Sequence, residues 1–534
     1  MSGFPWLLVA LVVPAGAALL LQILPLSPAA CRWYSIVAAA ITFLLSAIFV
    51  GAFLVHHSQG SSAGIAFQFA VQHSWMPQIG ALFSIGLDGV GVWLLALNAA
   101  LFLLAMLVVP TGGKAQPRAK LLFGLMLLTE TATAGVILSL DLLLFYFFWE
   151  GMLIPLYFLL GGWGGEGRRA ATMKFVVYTA AGSLLMLVAL IYVAYASHAQ
   201  YGVISFSLSS FIAHPLASGS WVSPLIHLTP LQIAFLAFGL AFAIKAPLVP
   251  FHSWLPASYE NAPPYVLTFF AGIVGKLGLF GFIRFGEVIF PGPMHQFQWL
   301  LIGMALLSVV WGALIALTET DMKRIVSYAS ISHIGFIALG IFTLSVVGLS
   351  GAVIQMVSHG VVIAGLFLIV WYLEERTGSR SRHDVVGLEK RMPWLYVFFL
   401  TITLGALGMP GTSSFVGEFF IMLGAFQVTP VAVVVAGAGV VLACWYMLRI
   451  HQGAMHEPLP ADLEKVRDIT IWQGAALAAV CVVIIVLGIY PAPVSQAALN
   501  SEQQYTALAG AHAAAGTTAV RFSVPNPASG PGGR

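Results

Sequence analysis

Long apolar runs separated by short polar connections recur along the chain. At about 20 residues per bilayer crossing, fourteen runs are long enough to span, at 4–25, 33–55, 83–109, 119–139, 141–161, 171–196, 229–257, 264–286, 298–317, 324–343, 347–373, 394–427, 430–449 and 470–490. None shows the strict alternation of a half-buried strand. The pattern predicts an all-α polytopic membrane protein. No basic stretch precedes the first run and no small-residue cleavage site closes it, so it reads as a span rather than a signal peptide.

Composition narrows the function. The 534 residues are 60% hydrophobic and 8% charged, against about 25% charged in soluble domains, so no sizeable water-soluble domain is expected. Cys31, Cys444 and Cys481 are too few and too scattered for an iron–sulfur site or a disulfide framework. No G-x-x-x-x-G-K-[ST] loop occurs, and GGWGGEG (161–167) follows an apolar helix rather than a strand. Neither nucleotide hydrolysis nor dinucleotide chemistry is expected. Lys and Arg are unevenly placed: if the connections alternate between two sides, 17 of the 22 fall on one side, and loops 56–82 and 197–228 carry none. That bias predicts both termini outside. The tail at 491–534, rich in Ala, Gly, Ser and Pro, reads as disordered. The loop at 374–391 reads as a solvated linker, or as a docking segment for a neighbouring subunit.

Two spans carry internal prolines, AIKAPLVPFHSWLP (243–256) and LGALGMPGTSSFVGEF (404–419). Proline removes a backbone donor, and lipid cannot satisfy the carbonyl it frees, so such breaks belong inside protein or beside a hydrated cavity. The broken spans are the seventh and twelfth, five apart and therefore oppositely oriented. This predicts two inverted five-helix repeats, spans 4–8 and 9–13, with ion sites on discontinuous helices. The expected divisions are 1–118 (three N-terminal helices), 119–290 and 291–450 (the repeats), 451–490 (a loop and the last helix) and the tail.

Four ionisable residues stand far from the ends of their spans: Glu150, Lys245, Lys276 and Glu418. Each costs roughly 3 kcal/mol at mid-bilayer on insertion scales, and four imply a polar track for ions or protons. Glu150 and Lys245 would stabilise each other's charge, as a switchable pair or as one that only holds two helices together. A desolvated Lys276 would exchange protons readily, and Glu418, beside a break and a Gly-Thr-Ser-Ser run, suits proton acceptance and release. His333 and His359 on adjacent spans, His252 seven residues after Lys245, and Glu130 in LMLLTETATAG are further relay candidates. Asp88 reads as a helix cap, and Arg284 lies toward the outer end of its span.

The runs FFWEGMLIPLYFLLGGWGG, KFVVYTAAGSLLML, AIKAPLVPFHSWLPASYENAP, TETDMKRIVSYASISHIGF, QMVSHG and GMPGTSSFVGEF resemble the antiporter-like membrane subunits of respiratory complex I, the NADH:quinone oxidoreductase. The resemblance covers about residues 83–450. Glutamate at 418 is the pattern of the M-type branch, similar to mitochondrial subunit 4. Lysine is usual there in the L-type branch, whose long lateral helix has no counterpart here, and in related Na⁺/H⁺ antiporter proteins. Gly151 departs from the family pattern.

The resemblance implies roles residue by residue. Glu150 and Lys245 match the coupling pair of the fifth and seventh helices, Lys276 the central lysine of the eighth, and Glu418 the twelfth-helix glutamate that delivers protons outward. His333 and His359 match histidines of the relay between them. It implies a proton-translocating subunit with no cofactor or metal in this chain, FMN and iron–sulfur clusters lying in partner subunits. The implied partners are other membrane-arm subunits, especially the L-type and N-type, and the implied location is the bacterial cytoplasmic membrane. Three alternatives stay open: an Mrp-type cation/proton antiporter subunit, a ferredoxin:plastoquinone photosynthetic counterpart in a thylakoid-type membrane, and a scaffold whose buried charges only set packing.

Overall fold

In lipid every backbone polar group has to be satisfied within the spanning segment or by buried neighbours, and the apolar runs accordingly become helices close to where the pattern puts them. The computed structural model describes residues 5–57, 67–110, 118–217, 222–499, 501 and 503. Among these, twelve helices are long and apolar enough to cross a membrane: Trp6–Ile23, Pro28–Val55, Gly89–Val108, Ala119–Leu138, Leu142–Trp163, Arg168–Tyr201, Pro264–Ile289, Gln298–Thr318, Met322–Phe342, Val346–Thr377, Pro430–His456 and Ile471–Ile489. Three shorter apolar helices, Pro230–Lys245, Pro393–Ala406 and Ser413–Val428, join them. The expected count of fourteen differs because the run at 394–427 is two helices. The run at 229–257 is likewise divided into Pro230–Lys245 and Trp254–Asn261.

Burial sorts the helices into a centre and a rim. The most apolar stretch of Pro264–Ile289 is 100% buried, and those of Met322–Phe342 and Val346–Thr377 are 94% buried, against 22% for Ile471–Ile489. The central helices are the ones that carry Lys276, His333 and His359. Rim helices turn a stripe of large apolar side chains outward, as Val431, Val434, Val441 and Trp445 do on Pro430–His456, leaving the opposite face for polar groups.

The face without basic residues departs from an all-α protein. Strands β1 (Gln68–Met76) and β2 (Ala81–Leu87) pair antiparallel, closing at Gly80, whose φ of +73° and contact with the Ile204 carbonyl exclude a side chain. The Leu140 amide donates to Ser84 O at 2.8 Å, and Leu140 O accepts from the Leu208 amide at 2.9 Å. The short connection at 139–141 is thereby laced between β2 and the segment at 206–208. Residues 83–87 had merged with the expected span 83–109 because they are apolar too. Asp88 ends the strand and caps the helix, accepting from the Gly91 amide at 2.5 Å. The start of the tail is also ordered: Ala497 and Ala498 are buried, and Ser501 Oγ accepts from the Gly89 amide at 2.8 Å. The expected disorder beyond residue 503 lies outside the described residues.

On the opposite, basic face the connections bind one another. Lys323 Nζ donates to the carbonyls of Glu260 (3.0 Å) and Ala262 (2.9 Å), capping the end of Trp254–Asn261. Arg324 pairs with Glu260 and Glu319, and Arg380 with Asp321. Within the loop read as a solvated linker, Val385, Val386 and Leu388 are buried, and the Leu388 amide donates to Ala454 O at 2.9 Å. Those apolar positions stand among charged neighbours, which masked their burial in the sequence.

Arg284 is buried rather than interfacial. It pairs with Asp88 at 2.7 Å, both side chains being almost fully enclosed, donates to Ile137 O and lies 4.3 Å from the Phe280 ring centroid. The pair ties the helices of Lys276, Asn98 and Glu130 together near the hairpin face. Removing one member of a buried pair typically costs about 3–5 kcal/mol. Asp88→Asn is therefore expected to lower the thermal unfolding temperature of the purified protein and its yield in membranes, an outcome checked by a melting series against the parent.

Candidate functional site

Lys245 is the last residue of Pro230–Lys245, where free carbonyls and the helix dipole favour a cation. The break that follows is internally satisfied: Trp254 Nε1 donates to Ile244 O at 2.7 Å and the Leu248 amide to Ala243 O at 2.9 Å. Lys245 is 1% exposed, and its Nζ has no hydrogen-bond partner. It sits 5.1 Å from the Trp149 ring centroid and 5.7 Å from that of Phe175. Glu150 is near enough to act on Lys245 through space, but the two form no ion pair within 4.0 Å. The expected pair is thus separated here, the ammonium resting on the π face of the residue before the glutamate. Such contacts contribute about 0.5–2 kcal/mol. Glu150 borders a lateral apolar cavity of about 740 Å³, and a Cβ at Gly151 would meet nothing within 4 Å.

Lys276 lies between two π-helical turns, Phe270–Val274 and Phe282–Gly286. It is fully buried, donating to Ala271 O at 2.7 Å. An ammonium has three donors, so its charged form is poorly solvated here. Close helix approach positions it. A Cβ on Gly272 would lie 3.2 Å from Gly360 O, one residue from His359, and a Cβ on Gly278 would lie 2.4 Å from Phe242 O on the Lys245 helix. Lys276 is thereby held within electrostatic reach of His359.

The histidines complete the row. His359 and His333 stand with ring centroids 5.6 Å apart, and His333 Nδ1 is 3.2 Å from Glu418 Oε1. Gln355 Nε2 donates to the same oxygen at 3.0 Å. Glu418 is 5% exposed and lies just beyond the second break, where Gly408 has φ of +63° and a Cβ would fall 2.6 Å from Glu418 Oε2. Both nitrogens of His359 and Nε2 of His333 are buried without a hydrogen-bond partner, leaving lone pairs and N–H groups available for transfer.

Other sequence candidates stand apart. Glu130 is fully buried with neither carboxyl oxygen bonded; its backbone carbonyl meets Asn98 and Thr133. His252 is half-buried in the turn between the two half-helices, its Nδ1 unbonded. Sequence reading missed Trp149, Gln355 and the hydroxyl cluster of Ser358 with Ser413 (2.6 Å) and Ser414 (2.9 Å). The i, i+4 spacing of Gln355 and His359 was the available signal for one of them. Among the described residues, no group of three or more His, Cys, Asp or Glu is arranged to hold a metal ion.

Residues 139–444 match the family model described as NADH:quinone oxidoreductase/Mrp antiporter, transmembrane. The chain is similar to the NADH-quinone oxidoreductase subunit M of Mycobacterium tuberculosis, 34% identical over 523 residues, 92% of each chain. It is similar in structure to a chain of respiratory complex I from Thermus thermophilus, with a TM-score of 0.82 and 31% identity over 94% of this chain and 100% of that one. A chain of the Mrp complex from a Dietzia species shares the fold, with a TM-score of 0.77 and 22% identity over 95% of this chain and 100% of that one.

Gly408 leaves no room for a side chain against Glu418. Gly408→Ala adds about 1–2 kcal/mol of left-handed backbone strain and is expected to push the carboxyl off His333 and Gln355. The infrared carboxyl band of Glu418, identified by its loss in Glu418→Gln, should shift in Gly408→Ala. An unmoved band would show that the glycine does not set the carboxyl's position.

Proposed function

The chain belongs to the NADH:quinone oxidoreductase/Mrp antiporter family of membrane subunits, and from that premise we propose how it works as a proton-translocating membrane-arm subunit of NADH–quinone oxidoreductase. Its proton path is Glu150, Lys245, Lys276, His359, His333 and Glu418. The observation that carries this reading is the buried set of His359, His333 and Glu418, the two rings 5.6 Å apart and His333 Nδ1 3.2 Å from the carboxylate, with Lys276 buried nearby. Redox chemistry takes place in partner subunits that hold FMN and iron–sulfur clusters, in the bacterial cytoplasmic membrane. This subunit converts the released energy into proton movement alongside L-type and N-type neighbours. Both termini lie outside, and the helix sets 119–290 and 291–450 act as inverted repeats, each with one divided helix.

Energy enters as a change in the Glu150–Lys245 separation. Bringing an opposite charge within about 4–6 Å is worth roughly 1.4–4 kcal/mol to a buried ion. When Glu150 approaches, Lys245 holds its proton; when the two separate, the ammonium keeps only aromatic faces, and its proton moves on toward Lys276. The imidazoles of His359 and His333 can accept at one nitrogen and donate from the other, delivering the proton to Glu418 for release outward. His252 and Glu130 are subsidiary members, His252 beside the turn that follows Lys245 and Glu130 as a buried carboxyl on a neighbouring helix. The Mrp-type reading has less behind it, because the likeness to the Mrp chain is one of fold and Glu418 replaces the lysine usual in antiporters.

Lys245→Ala and Glu418→Gln in the assembled complex, reconstituted in vesicles, are expected to cut proton pumping by at least about tenfold, a change of about 1.4 kcal/mol in the barrier, without loss of assembly. Full pumping by both variants would defeat the scheme, and pumping that required Na⁺ would favour the antiporter alternative.

A further inference from the structure

Glu418 is held by two nitrogens that meet the same oxygen. His333 Nδ1 lies 3.2 Å and Gln355 Nε2 3.0 Å from Oε1, while Oε2 lies against Gly408. An ionised carboxylate only accepts hydrogen bonds, so in that state Gln355 presents its amide N–H and His333 carries its proton on Nδ1. The lone pair at His333 Nε2 is then free, and that atom is buried without a partner. The proposed path uses His333 and Glu418 but gives Gln355 no part.

Gln355 stands on a fixed base. It is fully buried on Val346–Thr377, where that helix meets Ser413–Val428 at a row of glycines. A Cβ on Gly351 would fall 2.5 Å from the Ile421 amide nitrogen, and one on Gly424 2.5 Å from Gly348 Cα. A Cβ on Gly417, next to Glu418 in the chain, would fall 2.7 Å from Gln355 Oε1 and 2.9 Å from Gln355 Cβ. One turn away, Ser358 bonds Ser413 at 2.6 Å and Ser414 at 2.9 Å. The glutamine thus lies against Gly417 with its amide nitrogen on the carboxylate.

Packing alone explains this glutamine poorly. Its Oε1 is buried without a hydrogen-bond partner, which is destabilising, whereas a methionine would fill similar space and leave no polar atom unpaired. What the amide adds is a donor whose grip depends on the charge of its partner. A hydrogen bond to an ionised acceptor is roughly twice as strong as one between neutral groups. A guanidinium keeps its own charge, and Arg284 is accordingly locked on Asp88. An amide has none, so its hold weakens once the carboxylate is neutralised.

We propose that Gln355 is a positioning residue, a latch that holds ionised Glu418 against His333 and loosens when the carboxyl takes up a proton. His333 accepts a proton at Nε2 and gives the one on Nδ1 to Glu418 Oε1, which leaves the ring neutral and the carboxyl protonated. The contacts of Oε1 with the ring and with Gln355 are then both between neutral groups, so the carboxyl is free to turn from the ring. After it has released the proton, the carboxylate is drawn again to the Gln355 amide. The inference rests on the proton path proposed above, which makes Glu418 the acceptor.

The test uses the intact complex in vesicles, measuring proton pumping and redox-triggered infrared difference spectra. The carboxylate band of Glu418 is identified by its loss in Glu418→Gln. Gln355→Met keeps a side chain of similar length but has no donor. Gln355→Asn keeps the amide but, one methylene shorter, draws it back from Oε1. Both are expected to slow pumping by about tenfold, toward the low end of what misplacing a reacting group costs, and to shift the carboxylate band. Gln355→Asn supplies the measurement if Gln355→Met fails to assemble. Parental pumping by both variants, with Glu418→Gln inactive, would overturn the latch alone. Slowed pumping with the carboxylate band unmoved would also overturn it, since lost packing then accounts for the defect. Full pumping by Glu418→Gln would overturn both the latch and the path it serves.

Discussion

An ionisable group buried among apolar helices is stable only as far as its neighbours replace water, and that constraint organises this molecule from edge to centre. Arg284 meets it with Asp88, a backbone carbonyl and an aromatic face, and is locked as a result. Lys245 and Lys276 meet it incompletely, one with two aromatic rings and the other with a single carbonyl. Well-solvated ions hold the structure together, and poorly solvated ones are free to change state. The division between locked and loosely held charges follows from that difference, and it falls between residues that look equally out of place in the sequence.

The two divided helices serve the same end. A continuous helix in lipid has no spare backbone groups, whereas a break exposes carbonyls and amides at mid-depth that invite an ion. At the first break Lys245 is the last helical residue, and the Ala243 and Ile244 carbonyls are taken by the Leu248 amide and Trp254 Nε1. At the second, the glycine-rich turn brings Glu418 against backbone with no side chain between. An amine thus stands at one break and an acid at the other.

Much of this was legible in the chain itself. Span positions, both breaks and the four central charges followed from hydropathy and proline, because lipid enforces those features residue by residue. The β-hairpin was not legible: residues 83–87 are as apolar as the helix after them, and only Asp88 marks the change. Nor was the separation of Glu150 from Lys245, which depends on Trp149 and Phe175 supplying aromatic faces from two other helices. Arg284 was read as interfacial because its partner, Asp88, is distant in sequence and already had a sufficient local role as a cap. For Lys245 and Arg284 the missing information was a contact between segments far apart in the chain; for the hairpin it was a boundary between two equally apolar elements.

The glycines on the Lys276 helix carry one more consequence. At Gly278 its backbone rests directly on that of the Lys245 helix, while at Gly272 the Leu101 side chain and the Gly360 carbonyl take the space a Cβ would need. Backbone set against backbone has no rotamer that can give way. Volume added at Gly278 would therefore press the two lysine-bearing helices apart, so the contact that places Lys276 also fixes the spacing of its helix from that of Lys245.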